Sequence, residues 1–195
     1  LSHMMDRKRN PEGKVIVFSE SKDTTTYIVK RLKEDNIKGV IDVDASNRKI
    51  RIKDLKENFD ANYKEGQKNE FNIVITTEVL AEGVNLHRSN TIVNYDTPWN
   101  ATRLMQRIGR VNRIGSTAPE VFVYNFFPTT KVENDIELKK KAILKLVAFH
   151  NALGEDSQIY SPDEGDIESF GLFDQAPTEE RDLNLNFLIL LKLFL

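Results

Sequence analysis

Cysteine is absent from the 195-residue sequence. Its absence excludes disulfide bonds and metal centres held by thiolates, and it is typical of proteins that work in a reducing compartment. His87 and His150 stand apart from other candidate ligands in the sequence, so we predict that this chain holds no metal ion. We expect a cytoplasmic protein.

An excess of charge is also absent, because 28 Lys and Arg residues face 30 Asp and Glu residues, for a formal net charge of -2. This balance excludes a wholly basic protein that coats nucleic acid, so any binding of anions must be local. The apolar segment LNLNFLILLKLFL, at residues 183–195, falls short of the roughly 20 residues that a membrane helix needs. We therefore expect no membrane partner.

The length of the chain allows one domain of ordinary size. Residues 1–12 begin with LSHM, which is typical of a cloning remnant, and we expect them to form a tag remnant and linker. Residues 13–154 are predicted to form the folded domain. Residues 155–195 are predicted to form an acidic tail followed by a truncated apolar segment.

Short aliphatic runs alternate with longer amphipathic stretches through residues 13–154. The runs that we predict as buried strands are KVIVFSE (14–20), GVIDVDAS (39–46), FNIVITT (71–77), NTIVNYD (90–96) and EVFVYNFF (120–127). Helices are predicted over 21–35, through 52–59, over EVLAEG, over 100–114 and over 130–153. This alternation predicts an α/β fold, with a central, mostly parallel sheet and helices on both faces. Ligands of such sheets bind at the carboxyl ends of the strands.

The segment NATRLMQRIGRVNRIGSTAP, at residues 100–119, carries four arginines and no acidic residue. On a helix over 100–114, Gln106, Arg110 and Arg113 fall within roughly 60° of one another, opposite an apolar side. Exposed helices usually mix charges of both signs, and Gly109 within the helix costs about 1 kcal/mol relative to alanine. The segment is therefore either a solvated basic face or a site for an anion, and the planar guanidinium suits phosphate.

Three ordered blocks of the sequence resemble motifs of superfamily-two helicases and translocases. QRIGRVNRIG (106–115) is similar to their sixth motif, TTEVLAEGVNL (76–86) to the fifth and VIVFSES (15–21) to the fourth. The block VNYDTPWNATRLMQRIGRVNRIG is especially similar to bacterial Swi/Snf-type members. The resemblance covers roughly residues 13–127, and it implies a C-terminal RecA-like motor domain with a three-layer fold.

The resemblance also implies which residues meet the nucleotide. Arg110 and Arg113 would reach the β- and γ-phosphates of ATP, with Arg113 as the better candidate for the finger that stabilises the transition state. Gln106 would orient the same helix or contact the nucleotide side of the interface. Gly83 and Asn85 would flank the nucleotide, and a glycine lets the backbone approach a ligand closely.

A second set of residues is implied to contact the nucleic-acid backbone. Its members are Ser19, Thr77 and Glu78. Glu78 stands where related helicases often have aspartate. Arg103 and Arg107 lie outside the finger positions, and we expect each to be solvated or to form a salt bridge with another domain.

The resemblance covers one half of the motor. The phosphate-binding pattern G-x-x-x-x-G-K-[ST] is absent from the sequence, since the Gly-Lys pair of EGKV is followed by valine. We therefore expect ATP and Mg²⁺ to act in the full-length enzyme, with the metal held by an absent N-terminal RecA-like domain of the same polypeptide. We expect this chain alone to be inactive, and DNA rather than RNA to be the partner. The alternative is a non-catalytic α/β module that binds nucleic acid or a protein through an arginine patch.

Overall fold

Five parallel strands form the central sheet of the computed structural model, which describes residues 3–64, 66–80, 83–96, 101–126, 157–158 and 192–193. The strands are β1 (Val15–Phe18), β2 (Val40–Val43), β3 (Ile73–Thr76), β4 (Thr91–Asn94) and β5 (Phe122–Asn125). Their order across the sheet is β2-β3-β1-β4-β5, so the first strand of the chain lies at the centre. All four neighbouring pairs are parallel, as predicted.

Among the described residues, three helices cover the sheet on its two faces. They are α1 (Lys22–Glu34), α2 (Arg48–Phe59) and α3 (Ala101–Val111). One face packs Val15 and Val17 of β1 against Val29 of α1. The opposite face packs the alternate residues of the strands against α2 and α3. The prediction of a three-layer α/β fold is therefore confirmed.

Local sequence signals set the boundaries of α1. Ser21 precedes the helix, and its side-chain oxygen accepts a hydrogen bond from the Thr24 amide at 3.4 Å. Asp23 in the first turn and Arg31 in the last complement the helix dipole. The chain then leaves the helix through Asn36, whose φ of 56° lies in the left-handed region that asparagine tolerates.

Elements outside the five strands follow the predictions less closely. EVLAEG was expected to be helical, and its described residues form one 3-10 turn at Glu78–Leu80. The helix predicted over 130–153 and the loop that holds Trp99 lie outside the described residues. In the segment expected to be a tail, Ser157–Gln158 (β6) pairs antiparallel with Lys192–Leu193 (β7). The expected domain boundaries stay predictions.

Residues 3–12, expected to be a remnant and linker, contact the sheet. Asn10 is buried, and its side-chain amide donates to the carbonyl of Lys14 at 2.9 Å and accepts from the Lys14 amide at 3.1 Å. Glu12 forms an ion pair with the buried Arg88 at 2.9 Å. Met4 and Met5 lie against the core cluster beneath α1.

In the described part of the chain, none of the helices has both the length and the apolar character needed to cross a membrane. The same residues contain no group of three or more His, Cys, Asp or Glu side chains arranged to hold a metal ion.

Candidate functional site

The carboxyl ends of β1, β3 and β4 lie side by side, and we call this end of the sheet the carboxyl edge. Phe18, Thr76 and Asn94 are the last residues of these strands and stand in register. The fourth motif begins its loop here at Ser19, and the fifth begins its loop at Thr77. Helix α3 packs against β4 beside this edge, so the three motif-like blocks meet at one end of the sheet.

The apolar side of α3 packs into the core, as predicted. Leu104, Ile108 and Val111 are buried in the cluster beneath this helix. Gln106 and Arg110 on the same helix are partly exposed. The helix therefore buries one side and leaves these two polar residues within reach of a ligand.

Arg113 does not lie on the helix beside Gln106 and Arg110, although it was predicted to do so. The helix ends at Val111, so the prediction of a helix through residue 114 is wrong at its carboxyl end. The Arg113 guanidinium folds back instead, and its Nε donates to the carbonyl of Gly109 at 2.9 Å. Its Nη1 donates to Oδ1 of Asn85, which brings together two residues that the resemblance assigns to the nucleotide.

A backbone hydrogen bond also joins the loop of the fifth motif to the end of α3. The amide of Leu86 donates to the carbonyl of Arg110 at 2.8 Å. Asn85 and Leu86 therefore connect the loop of the fifth motif to the end of the arginine-bearing helix through both side chain and backbone. The fold thus brings Asn85, Arg110 and Arg113 to one place, although more than twenty residues of sequence separate the first from the other two.

Gly83 has a conformation that explains the choice of glycine. Its φ of 80° is one that other residues rarely adopt. A Cβ added there would lie 2.9 Å from Nη2 of Arg48, at the first residue of α2. The Arg48 guanidinium therefore lies close to the Gly83 backbone, in the loop of the fifth motif.

Gly109 has open space rather than a close neighbour. Among the described residues, a Cβ added at Gly109 would meet no atom within 4 Å beyond its own helix. The structure of this domain therefore does not require glycine at that position.

Two residues predicted to contact nucleic acid have partners inside the domain. Ser19 is buried, and its hydroxyl donates to Oδ2 of Asp96 at 2.5 Å. Glu78 forms an ion pair with Arg107. In this conformation neither the Ser19 hydroxyl nor the Glu78 carboxylate is directed to a phosphate, and a carboxylate repels one. Thr77 is partly exposed at the end of β3 and is the member of the set best placed for a backbone contact.

Arg107 is the residue whose environment differs most from expectation. It was expected to be solvated or to pair with another domain, and that expectation is wrong, because its side chain is 0% exposed. Its Nη1 donates to Oδ1 of Asn94 at 2.7 Å, and its Cζ lies 5.1 Å from the centre of the Phe18 ring. The sequence offered one signal, since Arg107 precedes Ile108 and lies one turn from Leu104, at the border of the apolar side.

The family model of the helicase conserved C-terminal domain matches residues 1–115 of the chain. The chain belongs to this family. The family and the observed sheet confirm the prediction of a helicase C-terminal domain with a RecA-like fold.

Relatives of this helicase C-terminal domain include longer proteins. An uncharacterized ATP-dependent helicase of Bacillus subtilis, YqhH, is 31% identical over 160 residues, which are 78% of this chain and 25% of that protein. The ATP-dependent RNA helicase sub2 of Aspergillus terreus is 29% identical over 132 residues, which are 68% of this chain and 28% of that protein. The chain thus spans about a quarter of the length of these curated relatives.

A solved structure gives the corresponding comparison of folds. The C-terminal part of the Fun30 ATPase domain superposes with a TM-score of 0.51 at 20% sequence identity. The match covers 66% of this chain and 38% of that one. At this identity the likeness concerns the fold of the helicase C-terminal domain.

His87 lies behind the Asn85–Arg113 contact of this helicase C-terminal domain. Its side chain is fully buried, and neither ring nitrogen has a hydrogen-bond partner among the described residues. Its Nδ1 is 3.7 Å from Oδ1 of Asp60, whose Oδ2 accepts from Asn85 at 3.4 Å. Burial lowers the pKa of His87 below its ordinary value, Asp60 opposes that shift and Arg113 adds to it.

We expect His87 to make the domain sensitive to acid. Because burial lowers the pKa of His87 in the native state, the unfolded state binds the proton more readily below about pH 6.5, so stability is lost as pH falls below that value. For one proton the slope is at most about 1.4 kcal/mol per pH unit. His87→Leu should remove this component, as measured by urea unfolding of both proteins at about pH 7, 6 and 5. Equal pH slopes for the two proteins would contradict the assignment.

Proposed function

We propose that this helicase C-terminal domain is the second motor domain of an ATP-dependent nucleic-acid helicase or translocase. ATP would bind between it and an N-terminal RecA-like domain of the same polypeptide. Arg110 and Arg113 would stabilise the negative charge on the transferred phosphoryl group, with Gln106 beside them on α3. Thr77 would contact the nucleic-acid backbone.

The observation that carries this proposal is the junction between the fifth-motif loop and the end of α3. Asn85 holds the Arg113 guanidinium, and the Leu86 amide bonds the Arg110 carbonyl at 2.8 Å. A planar guanidinium held by a neighbouring amide loses less conformational freedom when it binds phosphate. Gly83 lets the chain beside Asn85 adopt a φ of 80°, and the Arg48 guanidinium close to its backbone adds positive charge near the loop of the fifth motif.

The chemistry of this junction fits a phosphate and not a divalent cation. Arg110 and Arg113 present guanidinium nitrogens, which donate hydrogen bonds to anions. Magnesium takes oxygen ligands, usually carboxylates together with substrate phosphates. We therefore assign Mg²⁺ to carboxylates of the N-terminal domain, where it would neutralise charge on the phosphates of ATP. The residues of this chain would bind and orient the phosphates from the opposite side.

The kind of nucleic acid, DNA or RNA, is also part of what we propose. The block YDTPWN, at residues 95–100, resembles Swi/Snf-type members and supports DNA as the partner. The Aspergillus terreus relative is named an RNA helicase, which supports RNA. We propose DNA, because the Swi/Snf-type resemblance lies in the block directly before α3, the helix that carries Gln106 and Arg110.

ATP hydrolysis by the full-length protein with three different nucleic acids tests the proposed function. We expect hydrolysis to be stimulated more by single-stranded or duplex DNA than by RNA. The 195-residue chain alone should hydrolyse ATP no faster than a control without protein, because we propose that another domain supplies half of the site. Greater stimulation by RNA would overturn the choice of DNA. Absence of hydrolysis with every nucleic acid would favour the non-catalytic anion-binding module.

A further inference from the structure

The Arg107 guanidinium connects the three strand ends of the carboxyl edge. Its Nη2 forms an ion pair with Oε1 of Glu78, in the turn after β3. Its Nη1 donates to Oδ1 of Asn94, the last residue of β4, at 2.7 Å, and to the carbonyl of Asp96 at 3.4 Å. Its Cζ lies 5.1 Å from the ring centre of Phe18, at the end of β1.

This network continues from Asp96 to the loop of the fourth motif. The Asp96 carboxylate accepts from the Ser19 hydroxyl at 2.5 Å and from the Glu20 amide at 2.8 Å. A connected series of contacts therefore runs from Ser19 through Asp96 and Arg107 to Glu78. Ser19 and Glu78 are the two residues that sequence resemblance assigned to nucleic acid and whose side chains have partners inside the domain.

A buried ion pair of this kind is weak evidence for a role in stability. Removing a guanidinium from water costs several kcal/mol, and apolar residues of similar volume often stabilise a core as well or better. Arginine at this position is explained if its forked geometry is needed to join several groups at once. Arg107 lies on α3 directly after Gln106 and one turn before Arg110, so it fixes the helix that carries the proposed phosphate-binding residues.

We propose that Arg107 is a positioning residue that couples the nucleic-acid-binding loops of the carboxyl edge to α3. The proposal rests on the proposed function. Nucleic acid bound at Thr77 shifts the turn of Glu78, and the Glu78–Arg107 pair transmits that shift to the helix of Gln106 and Arg110. Packed elements joined by such a network move together, because the core around them is close-packed.

The test compares variants of the full-length protein by nucleic-acid-stimulated ATP hydrolysis. The variants are Arg107→Gln, Arg107→Lys, Glu78→Gln and the control Arg103→Gln. Arg103 lies on the same helix and forms an exposed ion pair with Glu20 at 3.1 Å. Two quantities are measured at saturating ATP, namely the ratio of maximal stimulated rate to basal rate, and the nucleic-acid concentration that gives half of the maximal stimulation.

We expect both Arg107 variants to lower the stimulation ratio about tenfold, in the range of a coupling between two sites. Glu78→Gln should lower it several-fold, and the half-saturating concentration should change less than about threefold in each variant. The Arg103→Gln control should keep the wild-type ratio. Because Glu78 and Arg107 act through one contact, the double variant Glu78→Gln with Arg107→Gln should resemble Arg107→Gln alone.

A merely structural role predicts a different pattern. Partial unfolding lowers basal and stimulated rates by the same factor, so it leaves the ratio unchanged. Should Arg107→Gln fail to fold, Glu78→Gln decides, because it keeps the shape of a partly exposed side chain. Wild-type ratios of stimulated to basal rate in the folded variants would overturn the coupling. The proposed function would still stand if Arg113→Ala abolished hydrolysis. A fully active Arg113→Ala protein would instead overturn the proposed function.

Discussion

Arg113→Ala in the full-length protein should lower kcat for nucleic-acid-stimulated ATP hydrolysis by about 10³-fold or more, the range found for arginine fingers. Asn85 and the Gly109 carbonyl already hold the Arg113 guanidinium by hydrogen bonds, so it needs little further ordering to bind a phosphate. Its effect is expected mainly on kcat, because the charge that it stabilises develops in the transition state. Steady-state kinetics over a range of ATP concentrations measures both parameters.

Two further variants sharpen this experiment. Arg113→Lys keeps the positive charge but loses the planar fork, and we expect it to restore little of the lost rate. Arg31→Ala removes an exposed arginine whose ion pair with Glu34 lies on α1, and it should behave as wild type. Hydrolysis by Arg113→Ala within about threefold of wild type would show that Arg113 is not a finger.

Phe59→Ala should cost about 3–5 kcal/mol of unfolding free energy, the usual range for a buried phenylalanine. Phe59 ends α2 with its ring fully buried in the core cluster beneath α2 and α3. The Lys14 ammonium lies 4.8 Å from the ring centre, so the substitution also removes a cation–π contact from a buried lysine. Urea unfolding of the 195-residue chain measures the change, and the melting temperature should fall by about 10 °C.

Ile50→Ala is the matched control on the same helix. Ile50 is 78% exposed, so its truncation should change the unfolding free energy by less than about 0.5 kcal/mol. The contrast between Phe59 and Ile50 tests which side of α2 faces the sheet. A similar loss for both variants would mean that α2 does not pack as described.

The fold was predictable because its signals are local. Runs such as VIVF and IVIT are fully buried β-branched or aromatic segments, which parallel sheets require. The spacing between them leaves room for a crossover helix. The helix predicted over EVLAEG was overestimated in its described residues, because Glu78–Leu80 form a single 3-10 turn and Gly83 has a positive φ.

The candidate site was only partly predictable from sequence. Resemblance selected Asn85 and Arg113, and the fold brings them into contact. The position of Arg107 at the border of the apolar side was the one sequence signal of its burial, and its partners could not be predicted, since Glu78, Asn94 and Asp96 come from two other strand ends. Helical periodicity describes the face on which a residue lies, but long-range pairing decides whether a charged residue there meets water or a carboxylate.

The central position of β1 has a consequence for biosynthesis. Val15–Phe18 pairs with β3 on one side and β4 on the other, and both strands are translated after two helices. At about 5–20 residues per second, the nascent strand VIVF waits on the order of seconds for its second partner. Both edges of this wholly apolar strand are unpaired until β3 emerges, and one edge stays unpaired until β4 follows, which is the condition that favours association with other chains. The ribosome-bound chain should therefore depend on chaperones until Asn94 has emerged.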